Sequence, residues 1–338
     1  MEPQPVDLVG DIYNYIILLY YYINYKEEEF SKILWNTYKY YKIFFPDKKN
    51  CDFKNQILFC IDELDLFENS NELNLFEHLS IPDEFIKEMR IKKICLVNNN
   101  IITNSIISSF PLIKLNIGCN FIITNEGIKN QKNITKLNLN FNNRITNEGI
   151  DHLNLDTLHL ESNELITDRL IQKMTKIRVL NIRDNPLITD NGIKNKNIEK
   201  LNISYNTLIT DEGIKGMVIY NLILDGYNNI TDNGIKGMPL RSLSIDRNTN
   251  ITNDGIKGMK LEKLNLKDNH NITNKGIQGM PIRILDIRCN YNITDEGIKG
   301  MPIHTLIITE DTKITKERLN EIPNVKIMSP YDFIKTRL

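Results

Sequence analysis

Histidine and cysteine are the two residue types in this chain that could supply metal-binding or nucleophilic chemistry. Imidazole nitrogens and thiolates bind zinc when they stand in close pairs such as C-x-x-C, and they serve as bases and nucleophiles in enzymes. No such spacing joins them here. They are scattered singly at His78, His152, His159, His270, His304, Cys51, Cys60, Cys95, Cys119 and Cys289. We therefore predict no metal centre, no cofactor and no catalytic site, and we expect the chain not to be an enzyme.

Two short motifs also point to specific chemistry. Gly213-Ile214-Lys215-Gly216 has the G-x-x-G form of loops that clamp nucleic-acid backbones. Asn-Ile-Thr, the sequon for N-glycosylation, begins at Asn229, Asn250, Asn271 and Asn292. Both motifs recur at a fixed interval along the chain, so we interpret both as parts of a structural repeat and not as sites.

Charge and cysteine usage narrow the class of partner and the compartment. The 338 residues carry a formal net charge of −1, without the basic excess that nucleic-acid binding requires. Five cysteines without disulfide spacing favour a reducing, intracellular and cytoplasmic location. Residues 1–5 lack the basic start of a signal peptide, and the apolar stretch 12–23 is too short to cross a membrane. We expect a monomer that binds neither nucleic acid nor membrane.

The dominant feature of the sequence is a repeat whose conserved centre reads I-T-[DN]-x-G-I-K-G-M. Successive copies are 21 or 22 residues apart. The threonines that mark them are Thr103, Thr124, Thr146, Thr167, Thr189, Thr210, Thr231, Thr252, Thr273, Thr294 and Thr315. A fixed period in this range indicates a stacked array in which each unit buries its apolar edge against the next.

Upstream of each threonine lies an apolar pair, as in Leu201 and Ile203, and then an asparagine such as Asn206. The full unit reads L-x-x-L-x-L-x-x-N-x-x-I-T-D-x-G-I-K-G-M and resembles the leucine-rich-repeat family over most of the chain. The resemblance implies an α/β fold: a right-handed solenoid, shaped as an arc, with parallel short strands and short helices on its convex side.

Elementary physics assigns a role to each position of the repeat. The alternating pair points inward from a short strand. The asparagine amide is expected to turn inward and satisfy backbone groups of the coil. Threonine is expected to cap a short helix. The residue six positions later, glycine as in Gly216 or asparagine as in Asn130 and Asn195, is expected to take the left-handed conformation that ends the helix.

The phase of the repeat predicts where the array begins and ends. Residues 81–89 fit a degenerate helix unit, and Leu73-Asn74-Leu75 is predicted to form a strand in register beside Ile94-Cys95-Leu96. Val325-Lys326-Ile327 is a candidate for the last edge strand. We therefore predict three parts: a helical region over 1–69, a solenoid of about twelve repeats over 70–328, and a tail over 329–338.

The helical region 1–69 lies outside the repeat phase and is rich in aromatic residues. It resembles an F-box at the apolar positions Pro5, Leu8, Ile12, Ile16, Leu34 and Tyr38. The resemblance implies that these side chains bind the adaptor of a cullin-type ubiquitin ligase. A helical cap that shields the first coil from water is the alternative, and the two are compatible.

The strand positions that face away from the core are the candidates for binding, because curved arrays bind partners along their concave face. Aromatic and arginine side chains on a polar field are typical of interface anchors. The candidate residues are Phe141, His159, Glu161, Arg183, Tyr205, Asp225, Asp246, Arg247, Lys267 and Arg288. We predict a non-enzymatic protein-binding module, with a substrate receptor of a cullin-type ligase as its sharper version. The alternative is a purely structural scaffold with the N-terminal helices acting only as its cap.

Overall fold

The structure, a computed structural model, describes residues 72–74, 91–97, 99 and 102–328. The chain forms two compact units, Met1–Asn154 and Leu155–Leu338. The predicted helical region 1–69, the degenerate helix unit at 81–89 and the tail 329–338 lie outside the described residues.

The described residues form thirteen short strands, and consecutive strands within each unit pair in parallel in sequence order. The first unit contains β1 (Glu72–Asn74), β2 (Lys93–Cys95), β3 (Lys114–Asn116) and β4 (Lys136–Asn138). The second contains β5 (Thr157–His159), β6 (Val179–Asn181), β7 (Lys200–Asn202), β8 (Asn221–Ile223), β9 (Ser242–Ser244), β10 (Lys263–Asn265), β11 (Ile284–Asp286), β12 (Thr305–Ile308) and β13 (Asn324–Ile327).

The register of the strands places equivalent positions of the repeat side by side. Leu201 pairs with Leu222, which pairs with Leu243. Leu73 of β1 pairs with Ile94 of β2, so the predicted strand ahead of the first obvious repeat is confirmed. The predicted last edge strand is also confirmed, since β13 pairs with β12.

A short helix follows nearly every strand, four to six residues long. In the first unit these are α1 (Asn104–Ser108), α2 (Asn125–Ile128) and α3 (Asn147–Ile150). In the second they are α4 (Asp168–Lys173), α5 (Asp190–Ile193), α6 (Asp211–Ile214), α7 (Asp232–Ile235), α8 (Asn253–Ile256), α9 (Asn274–Ile277), α10 (Asp295–Ile298) and α11 (Lys316–Asn320). The solenoid of parallel strands and short helices is therefore confirmed.

The core of each coil consists of apolar side chains from every segment of the repeat. In one coil of the second unit the fully or almost fully buried members are Ile198, Leu201, Ile203, Ile209, Ile214 and Met217. Complete burial of one such side chain contributes roughly 1.5–3 kcal/mol before the entropic cost of folding is subtracted. Since these residues face a neighbouring coil on each side, the core is continuous within a unit and not local to a repeat.

The repeat asparagine lies in the core and ties each coil to the one before it. The Asn206 amide nitrogen donates to the carbonyl oxygens of Ile182 and Asn185, at 3.4 and 3.1 Å. Its carbonyl oxygen accepts from the backbone N–H groups of Leu208 and Ile209, at 2.9 and 3.1 Å. Asn120, Asn142, Asn185, Asn248, Asn269 and Asn290 are buried in the same way. The predicted inward turn of this amide is confirmed.

A second set of hydrogen bonds joins consecutive helices. Asp190, the first residue of α5, accepts from the Thr210 backbone N–H at 2.8 Å and from the Thr210 hydroxyl at 2.6 Å. The hydroxyl then accepts from the backbone N–H of Glu212 and caps α6. A Cβ on Gly213 would run into the Asp190 carboxylate. Threonine, the acidic residue after it and the glycine of the motif therefore interlock across two coils.

The identity of the first helix residue decides whether the next threonine caps its helix. Where that residue is Asp, the threonine hydroxyl donates its hydrogen bond to the carboxylate. Its oxygen is then free to accept from a backbone N–H of its own helix, as at Thr189, Thr210, Thr231, Thr252 and Thr315. Where it is Asn, the amide donates to the hydroxyl, as from Asn253 to Thr273 at 3.0 Å, and no side-chain cap forms. The predicted threonine cap is thus confirmed at five positions and wrong at the other six, where threonine holds the N-cap position without the bond.

The predicted left-handed helix ends are confirmed for glycine and for one of the two asparagines. Gly216 has φ +77° and Asn195 has φ +64°. Asn130 does not adopt positive φ. Glycine reaches this region without the steric cost that a Cβ brings, which explains its recurrence at this position.

The interlock between helices predicts a non-additive stability effect. We expect Gly234→Ala to lower the free energy of unfolding by about 1–3 kcal/mol, because its Cβ would meet the Asp211 carboxylate. In an Asp211→Ala background the same change should cost less, because the obstruction is gone. Urea unfolding of the four proteins gives the coupling energy.

Gly237→Ala is the matched control. Nothing lies within 4 Å of its added Cβ, and its cost comes only from a backbone φ of +80°. Its effect should add to that of Asp211→Ala. Additive behaviour of Gly234→Ala would contradict the interlock.

Candidate functional site

The outward side of the strands in the second unit carries the candidate residues, and we call it the strand face. One row consists of the residue after each buried strand leucine, as in His159, Asn181, Asn202, Asn265 and Asp286. The next row, two residues further on, consists of Glu161, Arg183, Ser204, Asp225, Asp246, Lys267 and Arg288. In the first unit, Phe141 follows the equivalent rows of β4 and is 45% exposed.

The predicted exposure of the candidates is right for some and wrong for others. His159, Glu161, Arg183, Tyr205, Asp225, Arg247 and Arg288 are half-buried. Asp246 and Lys267 are buried, with 9% and 7% of their surfaces exposed. Neighbouring side chains on adjacent coils cover them, because equivalent positions lie side by side in a parallel ladder.

A stack of three side chains occupies one end of the strand face. The Arg183 guanidinium lies 3.0 Å from the Glu161 carboxylate. Its carbon lies 4.5 Å from the centre of the Tyr205 ring, within the range of a cation–π contact. The ring in turn covers Gly226, where an added Cβ would collide with it. Each member comes from a different coil, so the stack exists only in the assembled array.

An ion-pair network occupies the other end. The Lys267 ammonium lies 3.7 Å from the Asp246 carboxylate, which also accepts from Arg247 at 3.2 Å. Arg288 donates to both carboxylate oxygens of Asp286, to Oδ1 at 3.0 Å and to Oδ2 at 2.6 Å. That hydrogen bond raises the pKa of Arg288, whereas burial lowers the pKa of Lys267. Paired charges of both signs hold these side chains in place.

Burial disfavours the charged forms of Asp225 and His159 on this surface. Asp225 accepts from the Ser244 hydroxyl at 2.6 Å and from the Asp246 backbone N–H at 3.0 Å. Burial raises the pKa of Asp225, and among the described residues it forms no ion pair within 4 Å. Burial also lowers the pKa of His159, which is therefore neutral at pH 7.

Phe141, Tyr205 and Arg247, three of the predicted binding residues, belong to the row that follows the strand face and leads into the buried asparagine. Sequence reasoning did not predict the backbone conformation of this row. Its members adopt left-handed backbone at Cys119, Phe141, Ser162, Asp184, Tyr205, Gly226, Arg247, Asp268 and Cys289. Asp occurs twice in this row and Gly once, and these residues, which accept left-handed backbone, are the sequence signal for the conformation. The turn directs Tyr205 and Arg247 along the surface toward neighbouring coils.

No cluster of three or more His, Cys, Asp or Glu that could hold a metal exists among the described residues. A groove of about 640 Å³ near Tyr220, Lys236, Met238, Arg241 and Met259 contains neither His nor Cys. No helix in the part of the chain that the structure describes is long and apolar enough to span a bilayer.

The Asn-Ile-Thr sequons are structural. Asn229, Asn271 and Asn292 each donate their amide to a backbone carbonyl of the preceding coil, at 2.6–2.7 Å. The sequon threonines bond to the first helix residue of that coil, as Thr231 does to Asp211 at 2.6 Å. Both side chains of the motif are thus used in stacking, which supports its interpretation as part of the repeat.

Strand, inward asparagine, capped short helix and left-handed turn, repeated in register, define a leucine-rich-repeat solenoid. A family model described as Leucine Rich repeat matches residues 130–153, 173–195, 194–218, 257–280 and 280–301, about a third of the chain. No curated relative matches the sequence.

Two solved structures resemble the chain at low identity. An internalin (inlF) from Listeria monocytogenes is 18% identical with a TM-score of 0.44, and the match covers 78% of this chain and 89% of that one. A chain of the Rad7 and Elc1 complex in yeast is 13% identical with a TM-score of 0.44, covering 93% of this chain and 96% of that one. At these values the likeness carries no information on function.

The raised pKa of Asp225 predicts a pH-dependent difference in stability. Since folding raises its pKa, the folded state holds a proton longer, and stability falls as pH rises from the unfolded pKa to the folded one. Asp225→Asn keeps an oxygen for Ser244 and removes the charge. We expect it to raise the free energy of unfolding at pH 7 and to have little effect below the unfolded pKa of about 3.9.

Urea unfolding of both proteins across this pH range provides the measurement. Ser244→Ala, which removes a hydrogen bond to the carboxylate, is the control and should destabilise at pH 7. A less stable Asp225→Asn protein at pH 7 would show that the carboxylate is favoured in the fold.

Proposed function

We propose that this chain is a non-enzymatic protein-interaction module that binds its partner on the strand face. The observation that carries the proposal is the organisation of that face. Arginine, tyrosine and carboxylate side chains are fixed by contacts between coils, as in the stack of Glu161, Arg183 and Tyr205. Side chains held in place before binding lose less entropy when a partner docks.

The chemistry of the face favours a protein over a polyanion. The face mixes acidic and basic groups, as in Asp246, Lys267 and Asp286. A nucleic acid needs a continuous basic surface, whereas a protein partner can match charges of both signs. Tyr and Arg are also the residue types that contribute most to protein interfaces.

Photo-crosslinking tests this proposal. A photo-reactive phenylalanine at Asn202, on the strand face, should form specific adducts with a partner in lysate of the source cells. The same group at Lys215, exposed at the end of α6, is the matched control and should form none. Adducts from Lys215 alone, or from neither position, would contradict binding on the strand face and favour the alternative of a structural scaffold.

A finer proposal is that the module is a substrate receptor of a cullin-type ubiquitin ligase. Its support is the F-box resemblance at Pro5, Leu8, Ile12, Ile16, Leu34 and Tyr38, all of which lie outside the described residues. In the alternative, region 1–69 acts only as a cap on the array. The two readings predict different behaviour of the same variants.

Adaptor binding by the full chain separates them. If the region is an F-box, purified ligase adaptor should bind the full chain, and Leu8→Asp with Ile12→Asp should abolish binding while the solenoid still unfolds cooperatively. Leu187→Asp, an exposed leucine in the array, is the control and should bind normally. A full chain that captures no adaptor, with aggregation of the double variant, would support a cap and end the ligase proposal.

A further inference from the structure

The last coil of the second unit leaves part of its core exposed. Ile327 of β13 is 60% exposed, whereas Ile308, its partner on β12, is 1% exposed. Leu319 and Val325 are half-buried, although the equivalent residues of the preceding coil are fully buried. We call Leu319, Val325 and Ile327 the end surface. These positions form the core of the preceding coils and are open at this end of the array.

A coil from a second copy of the chain is poorly suited to cover the end surface. Every other described helix begins with Asp or Asn, side chains that can accept from the threonine of the next coil, as Asp295 does from the Thr315 N–H at 2.9 Å. The last helix, α11, begins with Lys316, whose ammonium cannot accept a hydrogen bond. Lys326 is exposed on β13, and a lysine on an edge strand opposes pairing with a further strand. The bonds that join coils elsewhere are therefore disfavoured here.

Residues 329–338, which we call the tail, follow directly after Met328 and lie outside the described residues. Ser329-Pro330-Tyr331-Asp332 has the form of a capping box with proline at the first helical position, and it predicts a helix from Pro330 onward. At the helical period, the apolar half of this helix consists of Tyr331, Phe333, Ile334 and Leu338. Its polar half consists of Asp332, Lys335 and Thr336. A helix this short is marginal in water by itself and needs an apolar surface to pack on.

The end surface lies within reach of such a helix. The Met328 N–H donates to the Ile308 carbonyl oxygen at 2.9 Å, so the chain enters the tail beside Ile327. A helix over 330–338 spans about 13 Å. Packed layers of secondary structure lie about 10 Å apart. The helix is therefore long enough to cross from the strand layer to α11 and reach Leu319.

We propose that the tail folds as a helix across the end surface and closes the core of the array. Its apolar half packs on Leu319, Val325 and Ile327, and its polar half faces water. Closure covers apolar side chains that would otherwise favour association between arrays. The inference goes beyond the proposed function, because it concerns the end of the array and not the strand face.

Photo-crosslinking in the purified full chain tests the proposal. A photo-reactive phenylalanine in place of Leu319 should form intramolecular adducts with residues 333–338, identified by mass spectrometry of the digested monomer. Leu319 precedes the tail by ten residues, so connectivity alone does not place the tail beside it. The same group at Asn320, the exposed next residue of α11, is the matched control and should form no such adduct.

Two substitutions that introduce the same residue into the tail form a second matched pair. Ile334→Asp places a carboxylate in the apolar half. It should lower the yield of the Leu319 adduct at least about tenfold, because a charge is costly to bury on an apolar surface. Thr336→Asp places the carboxylate in the polar half and should leave the yield unchanged.

Hydrogen exchange provides a measurement without the photo-reactive group. Among the described strands, β13 pairs with β12 alone, so its amides report on what covers its other side. The β13 amides should exchange at least about tenfold faster in Ile334→Asp than in the unmodified chain. Thr336→Asp should exchange at the unmodified rate.

Adducts from the Leu319 position that reach only a second copy, or that reach no part of the tail, overturn the proposal. Equal tail adducts from Asn320, or equal behaviour of Ile334→Asp and Thr336→Asp in either measurement, overturn it as well. None of these outcomes depends on a partner at the strand face, so failure of this proposal is distinguishable from failure of the proposed function.

Discussion

The hydrogen bonds of the buried asparagine are the interaction on which the rest of the structure depends. Each coil leaves backbone carbonyls facing the interior where the strand ends, and a buried carbonyl without a donor costs roughly 1–3 kcal/mol. The amide of the following coil supplies the donor, as Asn142 does for Ile117 and Asn120. The same amide fixes the turn of its own coil through Ile145. Local geometry and stacking therefore share one side chain, and a coil is complete only beside its neighbour.

On the helical side of the array, side-chain hydrogen bonds also join each coil to the next, but they involve different groups. A carboxylate or amide at the start of one helix bonds to the threonine at the start of the next, as Asp211 does to Thr231. Because that side chain lies against the third helix position of the next coil, an added Cβ would meet it at most of these positions, as at Gly234. Three positions of the motif are thereby constrained by contact between coils and not by helix propensity.

The strand face is the part of the array that stacking leaves free to vary. Asparagine, serine, aspartate, lysine and arginine alternate there, while the leucines beneath them hardly change. Contacts between these outward side chains, as in the pair of Asp286 and Arg288, hold them in defined positions on the surface. They do not determine the fold. At one coil the position of the buried asparagine holds the exposed Tyr227 instead. The amide of the next residue, Asn228, donates within its own coil and not to the preceding one.

The sequence by itself determined the architecture. Local rules predict the period, the strand positions, the inward asparagine, the left-handed glycines and the terminal strands β1 and β13. Many copies of one unit make those rules readable from the sequence. The tertiary structure decided whatever depends on residues about one repeat away. Thr210 caps its helix because Asp190 takes its proton, and Thr273 does not because Asn253 donates instead. Side chains of adjacent coils cover Asp246 and Lys267, and the ion pair between the two offsets the cost of burying their charges. The sequence of a single repeat does not specify which side chain of the next coil stacks against it. That neighbouring side chain determines the burial, the charge state and the hydrogen bonds of the face where binding is proposed.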